Sequence, residues 1–432
     1  MIFGIDLGTT NSLICNDYTG FKSELVPSCV NFDTGAVGSA AYEDTKAVRS
    51  YKTDMCLAET GKVPIEASAR VLKKLSTLAL NAKEVVISVP AYFTEQQREA
   101  TLRAAAKAGL DVKALVNEPT AAAIYIAQQR KSVFLVMDLG GGTFDVSIID
   151  SRYGMFDVQA TDGCILGGDN LDKAIMKFFV KKYKLPLHHY NAEQRAEFLL
   201  ECTRIKIDMC VNVDKTGTYD LTAYGGPKDA KFTPTDIQKL TNLVFDKTIQ
   251  LAQKVLVNNI PENENVEILL VGGSTKNPYY RRLIESSLKY PIAPLTYNPD
   301  EVVGQGAALY ARLYEEGKLV TAVSDVTKAL SIGLADGTVD FVIPENSKVP
   351  TIGKTMVHNS EDTDTIHLML FQGNSPLAQD DEYLGMLNIP LGEEVKEGKA
   401  TVYVTVEVDI SGRVKLIAQY GFNDPYSITI ER

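Results

Sequence analysis

The sequence lacks several features that would place it in other classes of protein. Basic residues are in the minority, with 44 Lys and Arg against 55 Asp and Glu, so the formal net charge is -11. A surface that binds nucleic acid or anionic lipid needs clustered positive charge, and we therefore expect neither partner. No apolar run approaches the roughly 18 residues that a membrane-spanning helix requires, so no such helix is expected.

Cysteine is also scarce and scattered. The six cysteines include no C-x-x-C pair and none follows residue 210, so neither a zinc site nor a disulfide framework is predicted. The N-terminus enters an apolar strand at once, without the basic region and cleavage site of a signal peptide. We expect a reducing, cytoplasmic setting for this chain of 432 residues, which is long enough for two or three folding units.

What the sequence does contain is a repeated motif. Residues 3–10 (FGIDLGTT) return as residues 136–143 (VMDLGGGT). In each copy an apolar run leads to an aspartate, then to a turn of Gly and Thr, then to a second alternating run, which predicts a β-hairpin. One such turn could be only a tight hairpin that needs glycine, but two matched copies indicate two similar lobes.

Strands and helices alternate up to about residue 318. Residues 85–90 form a predicted strand, and Thr94 with Gln97 forms a predicted capping box that opens a helix closed by Gly109. Pro119 suits the first turn of a further helix. This alternation is typical of an α/β fold.

The residues after about residue 318 follow a different sequence pattern. Short runs with apolar residues at period two follow one another without a helical pattern, and four of them are residues 339–343, 365–371, 400–408 and 413–420. Residues 409–413 are predicted to close a hairpin between the last two runs. This part of the chain is therefore predicted to be all-β, as a compact sandwich.

The two Gly/Thr turns have the composition of a phosphate site. A nucleotide triphosphate needs backbone N–H groups at close range, which glycine-rich turns allow, and carboxylates that hold a hydrated divalent cation. Turns 8–10 and 140–143 can approach phosphate from opposite sides, while Asp6 and Asp138 end the preceding strands. Three further segments fit this site, namely residues 117–123, 166–172 and 269–278, although the last two could equally be a helix cap and an ordinary glycine turn.

Taken together, these motifs resemble the signatures of the seventy-kilodalton heat-shock chaperone family. The resemblance is carried, in the family's order, by residues 4–12, 89–93, 117–123, 138–145, 271–275, 298–301 and 325–333. It implies an α/β actin-like (ribonuclease H-like, duplicated) two-lobed ATPase domain followed by an all-β sandwich. The implied boundaries are 1–318 for the ATPase domain, with lobes 1–133 and 134–318, then 319–327 for a linker and 328–432 for the sandwich.

The resemblance also implies roles for single residues in a site for ATP or ADP. Asp6 and Asp138 would hold the waters of Mg²⁺, and Asp6 and Asp145 would match ligands of K⁺. Lys52 would stabilise the attacking water and the charge on the γ-phosphoryl group, and Glu118 would orient that water, the alternative for Lys52 being a solvated surface lysine. The implied nucleotide contacts are Gly8, Thr9, Thr10, Asn11, Gly140, Gly141, Gly142, Thr143, Gly167, Gly168, Glu201, Arg204, Gly272, Gly273, Ser274, Lys276 and Asp300. Thr143 and Asp138 are also counted as catalytic, with Lys52 and Glu118.

In the all-β part, four apolar residues match the family's peptide cleft. They are Val357, Ile366, Leu368 and Leu370, and the alternative is that they form ordinary sandwich core. The resemblance implies extended or unfolded peptide, J-domain co-chaperones and nucleotide-exchange factors as partners of a monomer. No helical lid is expected after the sandwich, so bound peptide should exchange quickly.

The chain departs from the family at several places, and three of them concern partners or the coupling of the domains. Residues 52–71 are shorter than the family's segment, Ala114 stands where an arginine contacts J-domain partners, and residues 321–324 lack the leucines of the connector. Loss of that apolar surface predicts weaker coupling between the domains. The leading interpretation is an ATP-dependent chaperone that hydrolyses ATP slowly. The alternatives are a nucleotide-sensing scaffold for one dedicated protein, a small-molecule kinase and a filament.

Overall fold

A computed structural model gives the architecture of most of the chain. It describes residues 1–55, 62–152, 156–261, 264–318, 325–326, 328–345, 347–348, 350–409, 413–421 and 423–430. The predicted linker 319–327 lies outside the described residues except for residues 325–326. The middle of the predicted turn at 409–413 also lies outside them.

The first α/β half of the chain is built on one sheet, whose strand order is β3–β2–β1–β5–β6, with β4 beside β2. Its strands are β1 (Phe3–Leu7), β2 (Asn11–Asn16), β3 (Phe21–Lys22), β4 (Val26–Pro27), β5 (Glu84–Val89) and β6 (Asp111–Asn117). Its helices are α1 (Lys62–Leu78), α2 (Glu95–Ala108) and α3 (Glu118–Ile126). Strand β1 runs antiparallel to β2 and parallel to β5. The predicted first hairpin is therefore confirmed.

Local sequence signals explain these boundaries. Helix α2 begins after Thr94, whose side chain accepts a hydrogen bond from the Gln97 amide while the Gln97 side chain accepts one from Thr94, and it ends at Gly109 in the left-handed conformation. Strand β5 is almost wholly buried because both of its neighbours are strands and helices cover its faces. The predicted capping box, strand and glycine stop are all confirmed.

The second α/β half is built on a four-stranded sheet with the strand order β12–β7–β8–β9. The strands of this half are β7 (Val133–Leu139), β8 (Phe144–Asp150), β9 (Asp157–Cys164), β10 (Gly217–Tyr219), β11 (Ala230–Phe232) and β12 (Val266–Val271). Of these, β10 and β11 form a separate two-stranded sheet. The helices of this half are α4 (Gly168–Tyr183), α5 (Ala192–Val211), α6 (Pro234–Asn259), α7 (Pro278–Ser287) and α8 (Val302–Glu315). Strand β7 runs antiparallel to β8 and parallel to β12, as β1 does to β2 and β5.

Helices α3 and α8 join the two halves. Buried residues of both helices share one hydrophobic cluster with residues of β5, β7 and β12. A β-carbon added to Gly306 of α8 would overlap the carbonyl of Ala121 in α3, so the helices cross at backbone contact. This close crossing requires a residue without a side chain, and it packs the two helices tightly against each other.

The last part of the described chain, called the β region here, contains two four-stranded antiparallel sheets. Their orders are β15–β14–β18–β19 and β17–β20–β21–β22. The strands of the region are β13 (Asp325–Val326), β14 (Leu330–Gly333), β15 (Val339–Ile343), β16 (Ser347–Lys348), β17 (Thr351–His358), β18 (Thr363–Gln372), β19 (Glu382–Val395), β20 (Thr401–Val408), β21 (Val414–Tyr420) and β22 (Tyr426–Thr429). Of these, β13 and β16 pair with each other in a separate two-stranded sheet. Both four-stranded sheets contribute to one buried hydrophobic cluster, and alternate residues of β20 point into it.

The β region contacts the first half at the N-terminus of α2. The backbone N–H of Glu95 donates a 2.9 Å hydrogen bond to the side-chain carbonyl of Gln372, and the Gln96 side chain donates one to the carbonyl of Tyr383. Short 3-10 helices complete the structure at Gly38–Ala41, Tyr51–Asp54, Leu187–His189, Thr222–Tyr224, Gly273–Lys276 and Ala378–Asp380. None of the helices among the described residues combines the length and apolar character needed to cross a membrane.

Candidate active site

A cavity of about 750 Å³ lies where the two predicted phosphate turns meet. Strands β1 and β7 deliver their aspartates to it, and the turns that follow them form part of its wall. The predicted residues that line it are Asp6, Gly8, Thr9, Thr10, Asn11, Glu118, Asp138, Gly140, Gly141, Thr143, Gly168, Gly272, Gly273, Ser274, Lys276 and Asp300. Segments far apart in the sequence are therefore assembled around one space.

The two turns touch each other directly. A β-carbon added to Gly141 would overlap Oγ1 of Thr10, and one added to Gly142 would lie 2.7 Å from Cγ2 of Thr9. A side chain at either glycine would push the turns apart. Glycine is required here because the opposing backbone turns approach so closely.

The remaining glycine segments pack against the same turn. The backbone N–H of Gly168 donates to the carbonyl of Gly140 at 3.0 Å, and the hydroxyl of Ser274 donates to that carbonyl at 2.8 Å. Gly272 has a φ of +81°, which other residues disfavour. Gly167 does not line the cavity, but a β-carbon there would overlap the backbone of Gly141. These contacts fix the shape of the turn at residues 140–143.

Two buried aspartates, Asp138 and Asp145, and the partly buried Asp6 lie close to the turns. The hydroxyl of Ser88 donates a 2.9 Å hydrogen bond to Oδ1 of Asp6, and the backbone N–H of Tyr92 donates to Oδ1 of Asp145 at 3.3 Å. Burial raises the pKa of Asp6 to about 7, and the charge of Glu118 adds to that increase. Burial, with the same glutamate as second cause, raises the pKa values of Asp138 and Asp145 well above their usual range. Positive charge at this site is therefore strongly favoured, because it stabilises the ionised form of these carboxyl groups.

One positive charge is supplied by Lys52. It lies on the 3-10 helix Tyr51–Asp54, is 1% exposed, and places its Nζ 2.6 Å from Oε1 of Glu118 at the start of α3. Neither Lys52 nor Asp145 is part of the cavity wall, whereas Glu118 is. The alternative that Lys52 is a solvated surface lysine is wrong, because its side chain is enclosed between the two elements.

The aspartates fit a hydrated Mg²⁺ better than a bare ion. No group of three His, Cys, Asp or Glu side chains in the described ranges lies in an arrangement that would ligate a metal directly. However, Oδ2 of Asp145 is buried without a hydrogen-bond partner, and the nearby carboxylates Asp6 and Asp138 line the cavity. Mg²⁺ keeps several of its waters in proteins, and such waters are suitable partners for these oxygens. Asp6 and Asp138 would hold that water shell.

On the far side of the cavity, the predicted adenosine contacts are only partly brought together. Lys276 and Asp300 form an ion pair, and Gly273 packs against the Asp300 carboxylate. Glu201 and Arg204 of α5 pair with each other, and Arg204 also pairs with Glu43, but neither lines the cavity. The face of α5 that does line it is formed by Leu200, Thr203, Lys206, Ile207, Cys210 and Val211. Glu201 and Arg204 stay predictions.

Two polar features of the site have no counterpart among the predicted residues. Lys206 lines the cavity and pairs with the buried Asp172 at 2.8 Å, while donating to the carbonyl of Gly168 at 3.3 Å. Ser50 also lines it and hydrogen-bonds the carboxylate of Asp169. Helical periodicity could have placed Lys206 on one helix face with Thr203 and Cys210, but it does not indicate that this face meets the cavity.

The four residues predicted for a peptide cleft lie together in the β region. Ile366 is 6% exposed, Leu368 is 1% exposed and Leu370 is fully buried, all within the cluster shared by the two sheets. Val357 is partly buried against that cluster. They therefore contribute to the core, and their contact with peptide stays a prediction.

Comparison with known proteins identifies relatives of this chain. A model of the family described as Hsp70 protein matches residues 39–431. The chain is 32% identical over 472 residues to the chaperone protein DnaK of Mycoplasma mobile, which covers 100% of this chain and 78% of that protein. It is also 32% identical to the chaperone protein HscA homolog of Vibrio cholerae, over 96% of this chain and 75% of that one. The mitochondrial-type heat shock protein 70 of Encephalitozoon cuniculi is 31% identical over 85% of this chain and 65% of its own. The chain belongs to the Hsp70 family.

Proposed function

We propose that the protein is an ATP-dependent chaperone in which ATP hydrolysis biases the binding of extended peptide. The proposal assigns residues 1–318 to an actin-like ATPase domain with lobes 1–133 and 134–318, residues 319–327 to the linker, and residues 328–432 to a substrate-binding β-sandwich. The observation that carries it is the meeting of turns 8–10 and 140–143 at one cavity. Relatives named as chaperone proteins support the same activity.

In this proposal the cavity binds ATP together with hydrated Mg²⁺. Backbone N–H groups of the glycine turns and the hydroxyls of Thr9, Thr10 and Thr143 bind phosphate oxygens. Mg²⁺ supplies charge neutralisation of the phosphates when bound. Asp6 and Asp138 would hold the water shell of Mg²⁺, and Asp6 together with Asp145 would bind K⁺. The ADP product occupies the same contacts without the γ-phosphoryl group.

Hydrolysis then depends mainly on how the protein positions the attacking water and the γ-phosphoryl group. Water adds to the γ-phosphorus while the bond to the bridging oxygen of ADP breaks, and little covalent chemistry is left for the protein. Glu118 accepts a hydrogen bond from that water and orients it. Lys52, which is held by Glu118, stabilises the negative charge that develops during transfer.

The contact between α2 and the β region supports coupling of nucleotide to peptide. Glu95 and Gln96 begin the helix, and they bond to Gln372 and to the backbone of Tyr383. Gln372 ends β18, the strand that also carries Ile366 and Leu368. A change in the ATPase half therefore has a direct physical path to the strand assigned to peptide binding.

The proposal is tested by measuring hydrolysis and peptide binding on the same preparation. Steady-state ATP turnover is compared for the wild type, Asp138→Ala and Lys52→Ala, and both variants are expected to lose turnover. Affinity for a fluorescent extended peptide is measured with ATP and with ADP, and a lower affinity is expected with ATP. Equal turnover in all three proteins would overturn the assigned site, and equal peptide affinity in the two nucleotides would overturn the coupling.

One observation favours a second candidate, a nucleotide-sensing scaffold that binds one dedicated protein. Ile366, Leu368 and Leu370 are buried between the sheets, which leaves little of their apolar surface for peptide. A scaffold would hydrolyse or bind ATP and yet bind no fluorescent peptide in either nucleotide. J-domain co-chaperones and nucleotide-exchange factors belong to the chaperone proposal alone, and stimulation of turnover by a J-domain would favour it.

A further inference from the structure

A polar contact between Ser50 and Asp169 joins the two α/β halves beside the cavity. Ser50 precedes the 3-10 helix Tyr51–Asp54, and Asp169 lies in the first turn of α4. The Ser50 hydroxyl donates to the Asp169 carboxylate, and both residues line the cavity. We propose that this contact is a positioning device, which sets Lys52 and Glu118 for hydrolysis only when the two halves are closed on each other.

The backbone conformation of Ser50 indicates that surrounding contacts hold this residue in position. Its φ is +52°, in the left-handed region that a residue with a side chain disfavours. As the residue before a short helix, Ser50 makes no side-chain capping bond to that helix. Its hydroxyl is used instead on Asp169, in the other half of the molecule. Such an unusual conformation persists only where surrounding contacts impose it.

On one side, the contact leads directly to the buried ion pair. The hydroxyl of Thr53 donates a 2.9 Å hydrogen bond to the carbonyl of Ser50, so residues 50–53 form a closed turn. Lys52 lies within that turn, and its Nζ reaches Glu118 at 2.6 Å. Moving Ser50 therefore moves the peptide unit from which the Lys52 side chain extends.

On the other side, Asp169 is fixed to the phosphate turn. Its backbone N–H donates to the carbonyl of Gly141 at 2.8 Å. A β-carbon added to Gly141 would lie 3.3 Å from Oδ1 of Asp169 and would overlap Thr10. The Asp169 carboxylate therefore lies where the two phosphate turns meet. Its hydrogen bond with Ser50 depends on these turns being in contact.

This inference rests on the proposed function, because it concerns the hydrolysis step of that site. Ser50 and Asp169 act through Lys52 and are positioning residues. Their loss is expected to lower the rate of hydrolysis of bound ATP more than the affinity for ADP. If the contact served only to stabilise the fold, its loss would change both the hydrolysis rate and the affinity for ADP, or neither of them.

The test separates the effect of the Ser50 hydroxyl from the effect of the backbone conformation at Ser50. Ser50→Gly keeps the left-handed turn at low cost and removes the hydroxyl, whereas Ser50→Asn tolerates that turn and restores a donor. Single-turnover hydrolysis is expected to fall about tenfold in Ser50→Gly and in Asp169→Ala, since misplacement of an aligned group by a fraction of an ångström slows the reaction. Ser50→Asn is expected to recover most of the rate. The double variant Ser50→Gly/Asp169→Ala should be no slower than either single variant.

Thr45→Ala is the matched control, because the Thr45 hydroxyl makes an exposed contact with Glu193 of α5, also between the halves. It is expected to hydrolyse ATP at the wild-type rate. A second measurement does not need turnover: acylation of Lys52 by an amine-reactive reagent, quantified by mass spectrometry. Ser50→Gly should raise the labelling rate about tenfold through local opening, and Thr45→Ala should not.

Two results would overturn the inference. One is an unchanged hydrolysis rate and unchanged Lys52 labelling in Ser50→Gly. The other is a double variant whose loss equals the product of the single losses, which would mean that the residues act independently. If the wild type itself shows no turnover, the proposed function fails, and the labelling of Lys52 alone still decides whether Ser50 positions it.

Discussion

The Nζ atom of Lys52 lies 2.6 Å from Oε1 of Glu118, and the two side chains are 2% and 9% exposed. This ion pair joins the 3-10 helix Tyr51–Asp54 to the first turn of α3. The ring of Phe93 covers the ammonium at 5.6 Å. Because both side chains are largely buried, each charge depends on the other, and the pair fixes how the two elements face each other.

Replacing Lys52 by Met keeps much of its volume but leaves Glu118 buried without its partner. The free energy of unfolding is expected to fall by about 3–5 kcal/mol, and Lys52→Met/Glu118→Gln should recover much of that loss because no charge remains buried. Urea denaturation measures both effects. The control Lys22→Met breaks a more exposed pair with Glu301 and should cost less than about 1 kcal/mol. Equal stability of the single and double variants would contradict this account.

Gly141 and Gly140 give a matched pair for the contact between the turns. A β-carbon at Gly141 would overlap the Thr10 hydroxyl, whereas one at Gly140 would lie 3.7 Å from Oγ1 of Thr143, an ordinary contact. Gly141→Ala is therefore expected to weaken ATP binding about tenfold or more, since overlap displaces aligned donors. Gly140→Ala should bind nearly as the wild type does. Isothermal titration with ATP measures both, and equal affinities would show that the turns need not touch.

Much of the site could be predicted because its residues lie in short contiguous motifs. The Asp-Leu-Gly sequences at Asp6 and Asp138 specify a strand, a turn and a second strand by local pattern alone, and the structure contains both hairpins. The capping box at Thr94 is equally local. Family resemblance then added Lys52, whose flanking residues carry no pattern of their own.

Contacts between distant segments could not be predicted in the same way. The pair Ser50 with Asp169 depends on how the residues before the 3-10 helix Tyr51–Asp54 pack against α4, and the pair Lys206 with Asp172 depends on how α5 packs against α4. No periodicity fixes that packing. The assignment of Glu201 to adenosine shows the same limit. A rotation of α5 by one residue decides which side chains line the cavity, and sequence pattern alone does not set that rotation.

Asp138 offers a test of the cation proposal. Asp138→Asn replaces a carboxyl group that can ionise when a cation binds by a neutral amide of nearly the same shape. Turnover of ATP should then require about tenfold more Mg²⁺ for half-maximal rate, because the water shell loses a charged acceptor. Titrating Mg²⁺ at fixed ATP measures this shift. Asp162→Asn is the control, since Asp162 pairs with Lys254 on the surface, and it should leave the titration unchanged. An identical Mg²⁺ requirement in Asp138→Asn would remove this aspartate from the cation site.

The contact between α2 and the β region is expected to depend on pH through Glu95. This residue is 6% exposed, and burial raises the pKa of its carboxyl from 4.5 to about 8, with Arg98 opposing the shift and Glu99, Asp409 and Glu382 adding to it. Two of those acids, Asp409 and Glu382, belong to the β region. Separation of the β region would expose Glu95 and return its pKa towards 4.5.

The docked arrangement therefore binds a proton that the separated arrangement releases between these two pKa values. Docking should be strongest below about pH 4.5 and weaken as pH rises to about 8, by up to about tenfold per pH unit. Fluorescence energy transfer between labels on α1 and β20 measures the docked fraction. Glu95→Gln carries no ionisable proton and should flatten the profile, while Glu66→Gln, at an exposed position of α1, should keep it. A wild-type profile that stays flat from about pH 6 to 8 would mean that Glu95 is already ionised in the contact, with Arg98 as the partner that stabilises its charge.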